Sequence, residues 1–347
     1  MWLLTSYYTE YKTTSMSNLR NPRYKKAVVV APVIVPPVDP RASLPDRFKN
    51  HHFNYNFIDK LPHTISHPNV VKSLSLIHRL RFDVHKAQKP QEMWKNPEKF
   101  TIPSKYSMAD KVQKILNQGQ IGACVAHSAS QALHLIMNRN DSSRYRLSKL
   151  ASKSPLFWSS RLFIYDNARR IDGTPLTEDQ GTTNHSACLA LEKYKVCPED
   201  LWPYESVNLS LSPPSDAYVY GNKFSTFDYS PISEQDPESF KSAIANGYPV
   251  MIGIVVFSSF VKSGTDGGSG NAPMPHSSEL ENPLGGHSLL VVGYDDEAEN
   301  EDGSKGRVIG VNHWGNEWGN NGMFTLPYDF VFGGKYAGDF IAIKNFA

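Results

Sequence analysis

The most informative segment of this 347-residue chain is residues 118–128, which read QGQIGACVAHS. Cys124 follows a glycine-rich turn and stands where an apolar helical pattern begins. The positive end of a helix dipole favours a thiolate, so we expect the pKa of a cysteine in this place to be lowered. Gln118 lies six residues earlier and can bring a side-chain NH₂ group to the point where an oxyanion would develop. Because a single cysteine is more often a small buried hydrophobe, this segment needs support from elsewhere.

Two later segments supply that support. Residues 285–294 (GGHSLLVVGY) place His287 behind two glycines at the entrance to an apolar strand. Residues 312–319 (NHWGNEWG) begin with Asn312, whose side chain could accept a hydrogen bond from one ring nitrogen of His287 and fix its tautomer. Taken singly, these would be an ordinary histidine and an aromatic, glycine-rich turn. Together with Cys124 they supply a nucleophile, a base and a residue that orients the base.

These three segments, in this order, resemble the signatures of the papain family of cysteine peptidases. The family pattern is Gln-Gly-x-x-Gly-x-Cys, then a histidine before an apolar strand ending in Val-Gly-Tyr, then Asn-x-Trp-Gly-x-x-Trp-Gly. Residues 178–182 (EDQGT) and 190–204 (ALEKYKVCPEDLWPY) further resemble the bacterial and large-DNA-virus branch. The resemblance runs from residue 102 to the C-terminus. It implies an α+β, papain-like fold of two lobes, with a helical left lobe and an antiparallel, β-barrel-like right lobe, preceded by an N-terminal extension.

The resemblance also implies a chemical role for each matching residue. Cys124 would be the nucleophile, His287 the base and later the acid, and Asn312 the residue that orients His287. Gln118 would stabilise the oxyanion together with the backbone N–H of Cys124. The implied reaction is hydrolysis of a peptide bond through an acyl-enzyme on Cys124, with no cofactor and no metal.

Further positions are supporting residues or departures from the family. The resemblance implies that Trp314 shields the bond between histidine and asparagine, and that Gly181 offers its backbone to an extended substrate. Ile121 stands where many relatives carry a cysteine that forms a disulfide, and His313 replaces a common serine. His127, unusual beside the nucleophile, is expected to be a packed helix residue.

Apolar periodicity divides the chain into a helical part and a strand-rich part. Helical patterns cover about residues 123–137, 155–170 and 185–194, whereas residues 249–257, 287–294, 307–311 and 322–326 have the short apolar runs typical of strands. Helices first and strands afterwards predict an α+β protein of two lobes. Residues 263–275, rich in Gly, Ser and Pro, predict a mobile loop.

The first hundred residues differ from the rest in charge. They hold 16 Lys and Arg against 7 Asp and Glu, whereas residues 101–347 hold 20 against 27. We therefore divide the chain into a basic, proline-containing N-terminal extension or pro-segment (residues 1–100) and a catalytic domain (residues 101–347). Opposite charges suggest that the extension lies across the cleft and inhibits the enzyme until it is removed. A targeting or interaction extension is an equal alternative, and an apolar face at residues 70–86 predicts a helix that packs on the main domain.

The composition of the chain limits which cellular compartments and which binding partners we expect. Three cysteines are too few for a disulfide framework and favour a compartment where thiols stay reduced, such as the cytoplasm or a virion. We predict no signal peptide, and the most apolar stretch, residues 27–38, is too short and proline-rich to span a membrane. The expected partner is a peptide or protein substrate, because nucleic-acid binding would rest on charge alone. Two rival interpretations remain: another Cys–His amidase, and a catalytically silent papain-like binding protein.

Overall fold

The computed structural model describes residues 101–137, 157–224, 227–280 and 282–346, together with positions 9–10, 33–34, 44 and 46. Near the N-terminus, the two-residue strands β1 (Thr9–Glu10) and β2 (Val33–Ile34) pair in antiparallel fashion. The helix predicted at residues 70–86 lies outside the described residues. The boundary proposed after residue 100 also falls at their edge, so the division into two segments stays a prediction.

Three helices form the lobe that contains Cys124. They are α1 (Cys124–Met137), α2 (Arg161–Asp172) and α3 (Asn184–Tyr194). Every residue of α1 is buried, which makes it the central helix of the lobe. The hydroxyls of Ser160 and Thr183 each accept a hydrogen bond from a backbone N–H in the first turn, so these residues set where α2 and α3 begin.

An antiparallel sheet of seven strands forms the second lobe. Its strands are β3 (Lys105–Ser107), β4 (Phe227–Ile232), β5 (Val250–Val256), β6 (Gly285–Glu299), β7 (Lys305–Val311), β8 (Met323–Pro327) and β9 (Ala337–Phe346). The hydrogen-bonded order is β4-β9-β5-β6-β7-β8, and β3 pairs with β6. Because β6 pairs with three other strands, it is a rigid support for the side chains at its start.

The described part of the chain also contains four shorter α-helices, α4 (Ser215–Gly221), α5 (Pro237–Ala245), α6 (Ser258–Ser263) and α7 (Tyr328–Phe332), and three 3-10 helices of three residues each. No helix in the described part of the chain is both long and apolar enough to cross a membrane.

A buried line of polar side chains joins the two lobes where α1 packs against β6. Ser288 Oγ lies 2.9 Å from Ser128 Oγ on α1 and 2.8 Å from Asn184 Oδ1 at the start of α3. Since a hydroxyl has one proton, Ser288 donates to Asn184 and accepts from Ser128. All three residues are buried, and we call them the interlobe seam. Directional bonds of this kind fix how the lobes are aligned.

The α+β architecture predicted from the sequence is confirmed, with differences at the edges of elements. The second predicted helix begins at Arg161 rather than near residue 155, because Ser160 caps it. From residue 101 onward, helices α4 to α7 and strands β3, β4 and β9 were not predicted. The glycine-rich residues 263–275 are attached to β8, since the Thr325 N–H donates to the Gly270 carbonyl at 3.0 Å.

Candidate active site

Cys124 is the first residue of α1, and only 1% of its surface is exposed. The turn before it is closed by the Gln118 backbone N–H, which donates to the carbonyl of His313 at 2.9 Å. Gly119 in this turn has a φ of +59°, a left-handed conformation that glycine adopts without steric cost. The cysteine therefore opens the helix, as the sequence predicted.

Burial raises the pKa of the Cys124 thiol to about 12. The backbone N–H groups of Ser288, Val125 and Cys124 itself lower it, and the negative charge of Asp179 raises it further, but loss of water is the largest effect. The expectation of a lowered pKa is therefore wrong for this structure, because the start of the helix is covered. The contact with Ser288 also brings the sulfur beside the residue that follows His287 in the chain.

His287 and Asn312 are brought together by neighbouring strands. His287 is the third residue of β6, and Asn312 follows the last residue of β7. His287 Nε2 lies 2.9 Å from Asn312 Oδ1, and both residues are buried. An amide oxygen only accepts hydrogen bonds, so Nε2 carries the proton and Nδ1 is the basic nitrogen of the neutral ring. The backbone N–H of His313 donates to the same Oδ1 at 2.8 Å and holds the amide in place.

Trp314 stacks on the ring of His287, with centroids 4.8 Å apart and planes 28° from parallel. Phe260 and Trp318 pack against Trp314 at centroid distances of 5.7 and 5.2 Å. Trp314 is only 5% exposed, so it shields this side of the bond between His287 and Asn312 from water.

Gln118 is held on both its side chain and its backbone. Its Nε2 donates to the Ile121 carbonyl at 3.1 Å, and a primary amide has a second N–H for another acceptor. Its backbone carbonyl accepts from the Tyr204 hydroxyl at 2.9 Å. Gln118 is 1% exposed, so its amide is presented in a dry environment.

Gly181 lies in the loop that leads into α3, with a φ of +74°. Its N–H donates to the Tyr165 hydroxyl at 3.0 Å. While this bond is in place, Gly181 would pair with an extended substrate through its carbonyl only. The same loop contacts the turn before Cys124, because Asp179 accepts from the Gly122 N–H at 2.9 Å.

A buried polar cluster lies behind these residues. His127 Nδ1 donates to the Ala123 carbonyl at 2.8 Å, and Arg161 donates to Nε2 at 3.4 Å. Arg161 also pairs with Glu199 at 2.6 Å and lies over the ring of Tyr204, 4.5 Å from its centroid. His127 is thus the packed helix residue that the sequence predicted. Burial, with a smaller contribution from the charge of Arg161, lowers the pKa of His127 to about 3.

The remaining thiols and the second unusual histidine have no evident part in the chemistry. Cys188 and Cys197 are buried free thiols. Burial lowers the pKa of His313 well below its ordinary value, and neither of its ring nitrogens has a hydrogen-bond partner among the described residues. Within that same part of the chain, no group of three or more His, Cys, Asp or Glu side chains could hold a metal ion.

Three residues of the site were not singled out from the sequence: Asp179, Tyr165 and Tyr204. Asp179 is 57 residues from Gly122, to which it bonds, so no local spacing indicates the contact. The only available signal was the stretch EDQGT at residues 178–182, which the family resemblance highlighted without assigning Asp179 a role.

Cys124 begins a helix of one lobe, and its thiol contacts the N–H of Ser288, the residue that follows His287 in the other lobe. A cysteine, a histidine and an asparagine bonded to that histidine are the residue types that a thiol-dependent hydrolase uses. Residues 98–331 match the model of the papain family of cysteine proteases, and the chain belongs to that family. The chain is accordingly a cysteine-type peptidase whose substrates are peptides or proteins. These matches favour that function over the two rival interpretations.

Individual relatives agree with this assignment. An uncharacterised peptidase C1-like protein of Acanthamoeba polyphaga mimivirus is 30% identical over 238 residues, which cover 66% of this chain and 69% of the relative. The crystal structure of xylellain, a cysteine protease from Xylella fastidiosa, superposes with a TM-score of 0.60 at 28% identity, covering 75% of this chain and 91% of xylellain. Digestive procathepsin L 3 of Tenebrio molitor larval midgut shares the fold, with a TM-score of 0.50 at 17% identity over 71% of each chain. The predicted papain-like fold is thereby confirmed.

Proposed function

We propose that Cys124 is the nucleophile of this peptidase, with His287 as its base and Asn312 as the residue that orients His287. The observation that carries the proposal is the 2.9 Å bond from His287 Nε2 to Asn312 Oδ1, beneath the stacked ring of Trp314. This bond assigns the proton to Nε2 and makes Nδ1 the nitrogen that can take a proton from a thiol. The contact between the Cys124 thiol and the Ser288 N–H supports the pairing, because Ser288 follows His287.

Acylation begins when the Cys124 thiol transfers its proton to His287 Nδ1 and the sulfur attacks the substrate carbonyl carbon. The carbonyl oxygen becomes an oxyanion, which the Cys124 backbone N–H and the second N–H of Gln118 Nε2 stabilise. The C–N bond then breaks, and the leaving amine takes the proton from the imidazolium. Water, deprotonated by His287, attacks the thioester and releases the carboxylic acid and the free thiol.

The raised pKa of Cys124 constrains the first step. A thiol with a pKa of about 12 is protonated at neutral pH, so the sulfur has to be uncovered or its proton transferred as substrate binds. The transfer of one proton from the Cys124 thiol to His287 creates a thiolate and an imidazolium together, and the attraction between these two charges stabilises both. We therefore expect the proton to be transferred only when a substrate replaces the groups that bury the Cys124 sulfur.

An active-site-directed epoxide tests the assignment of the nucleophile. We expect a single adduct at Cys124 on the native chain and none at the buried Cys188 and Cys197. Intact mass and peptide mapping would locate it, with Cys124→Ala as one control and urea-unfolded protein as the other. An adduct at Cys188 or Cys197, or equal labelling of native and unfolded protein, would contradict the proposal.

We further propose that residues 1–100 inhibit the catalytic domain by covering its cleft. Three observations support this regulation. Cys124 and His287 are each only 1% exposed, so the access of a substrate to them is restricted in this arrangement. Leu44, one of the described N-terminal positions, is 3% exposed and belongs to the same hydrophobic cluster as the core of the catalytic domain. The two segments also have opposite net charges, with 16 basic against 7 acidic residues in the first and 20 against 27 in the second.

Leu44→Asp tests the inhibitory role in the full-length chain. A buried carboxylate without a partner would displace the segment that contains it, so we expect faster turnover of a small peptide amide and faster epoxide labelling of Cys124. Val207→Asp is the matched control, because Val207 is 69% exposed on the catalytic domain. Equal rates in the Leu44→Asp variant and the wild type, with both proteins folded, would refute inhibition by this segment.

A further inference from the structure

Asp179 connects the turn before Cys124 to the loop that contains Gly181. Its carboxylate accepts from the Gly122 N–H through both oxygens, at 3.2 Å for Oδ1 and 2.9 Å for Oδ2. Oδ1 also accepts from the Tyr165 hydroxyl at 2.5 Å, and that hydroxyl accepts from the Gly181 N–H at 3.0 Å. Gly122 is two residues before Cys124, so one carboxylate links the turn of the nucleophile to the loop of Gly181.

The direction of every proton in this chain of bonds is determined. Burial, and secondly the charge of Asp179, raise the pKa of Tyr165 far above its ordinary value, so the hydroxyl stays protonated. Its single proton points to the Asp179 carboxylate, and its lone pair faces the Gly181 N–H. Both amide N–H groups are therefore held by the Asp179 carboxylate. The Gly122 N–H bonds to it directly, and the Gly181 N–H bonds to the Tyr165 hydroxyl, which bonds to it in turn.

The far side of the Gly181 loop is also fixed. Arg169 donates to the carbonyls of Leu176 and Glu178 at 3.0 and 2.8 Å, and its charge is balanced by Asp166 at 2.7 Å. These bonds attach one end of the loop to α2. Asp179 attaches the other end to the turn before Cys124. Small displacements between reacting groups cost an enzyme large factors in rate, so such a link matters for catalysis.

We propose that Asp179 is a positioning residue, which holds the turn before Cys124 at a fixed distance from the loop of Gly181. The inference rests on the proposed role of Cys124 and on the role in substrate binding expected for Gly181, and it adds a residue that aligns the scissile carbonyl with the sulfur. Asp179 does not touch the reacting atoms. It acts through Gly122 on the nucleophile and through Tyr165 on the substrate.

Asp179→Asn is the sharpest perturbation, because the amide keeps the shape of the carboxylate and loses one acceptor. With its NH₂ group in the place of Oδ2, the Gly122 N–H faces a donor and keeps only the longer contact, 3.2 Å to the oxygen in the place of Oδ1. With its oxygen in the place of Oδ2, the Tyr165 hydroxyl loses the acceptor for its proton. Either orientation weakens one arm of the link. Tyr165→Phe breaks only the Gly181 arm, and Asp216→Asn is a matched control, because it makes the same chemical change at an exposed carboxylate outside this loop.

The test compares two reactions of Cys124 in the full-length chain, in the wild-type and the Leu44→Asp backgrounds. Turnover of a peptide amide needs an aligned substrate, whereas alkylation by iodoacetamide needs only a reachable thiolate. For Asp179→Asn we expect kcat/KM to fall by about 10- to 100-fold while the limiting rate of alkylation at high pH is preserved. Because the charge of Asp179 raises the pKa of Cys124, the alkylation profile of this variant also shifts to lower pH. Tyr165→Phe raises KM with kcat nearly unchanged, and Asp216→Asn behaves as the wild type.

Each other outcome overturns a different claim. Unchanged kcat/KM in Asp179→Asn refutes the positioning role, and so does a parallel loss of turnover and alkylation, which would indicate collapse of the site. An equal loss of kcat in Tyr165→Phe refutes the division into two arms. Absence of turnover and of any Cys124 adduct in the Leu44→Asp protein itself would instead refute the proposed function, and this inference with it.

Discussion

The buried imidazole of His127 makes the folded chain sensitive to acid. Its Nδ1 proton is donated to the Ala123 carbonyl, and its Nε2 faces the Arg161 guanidinium as an acceptor. A second proton on Nε2 would point at an N–H of Arg161, near the rings of His287 and His313. The folded protein therefore keeps His127 neutral, with a pKa lowered to about 3, whereas in the unfolded chain the residue titrates near its ordinary value of 6.5.

The sign and size of the effect follow from linkage. A depressed folded-state pKa means that below about pH 6.5 the unfolded chain binds a proton that the folded chain does not, so acid favours unfolding. Well between the two pKa values each pH unit costs about 1.4 kcal/mol, and the total cost on going from neutral pH to pH 4.5 is about 2.5 kcal/mol. The stability is fully present above about pH 6.5 and declines until the pH reaches the folded pKa. The pKa of His313 is lowered as well, so His313 also reduces the free energy of unfolding in acid, and its effect adds to that of His127.

Urea unfolding of the wild type and of His127→Phe, at neutral pH and at about pH 4.5, isolates the contribution of His127. The phenylalanine fills the same space and cannot titrate. We expect the variant to gain about 2 to 3 kcal/mol relative to the wild type over this pH interval, whatever their difference at neutral pH. Parallel stability curves for the two proteins would show that His127 is not held neutral and would refute the reasoning.

Three further substitutions test the structure at other points. Asn312→Ala leaves the Nε2–H of His287 without its acceptor, so kcat for a peptide amide should fall by at least about tenfold; an unchanged kcat would contradict the orienting role. Ser288→Ala removes the centre of the interlobe seam and should lower the free energy of unfolding by about 1 to 3 kcal/mol in urea titrations. Arg169→Met leaves the buried carboxylate of Asp166 unpaired and should cost about 3 to 5 kcal/mol, seen as a lower midpoint of thermal unfolding; a shift of less than about a degree would show that the pair is dispensable.

The parts of the fold that could be predicted are those with a local physical signal. Helix α1 was predicted within one residue, because a long apolar run follows directly on a glycine-rich turn. Strand β5 was predicted nearly as well, since all its residues are buried and apolar. Strand β4 was missed because it contains Pro231 and no regular alternation of polar and apolar residues, and both features argue against a strand in a sequence.

The site divides in the same way. Cys124, His287 and Asn312 could be chosen because each lies in a short motif whose spacing is visible along the chain. The bond from Asp179 to Gly122 and the pKa of Cys124 could not be predicted, since the first depends on a contact across 57 residues and the second on burial. Helix position alone favoured a thiolate, but desolvation outweighs it in the folded chain.

The interlobe seam also determines how this enzyme would lose activity on heating. Ser128 lies one helical turn after Cys124 on α1, and Ser288 directly follows His287 on β6. The bonds that align the lobes are thus adjacent to the residues whose separation governs the chemistry. Apolar surfaces can shift against one another with little change in free energy. The hydrogen bonds of the seam form in only one alignment of the lobes, so they break together. Thermal inactivation should therefore be abrupt and should coincide with parting of the lobes, at a temperature below that at which either lobe melts.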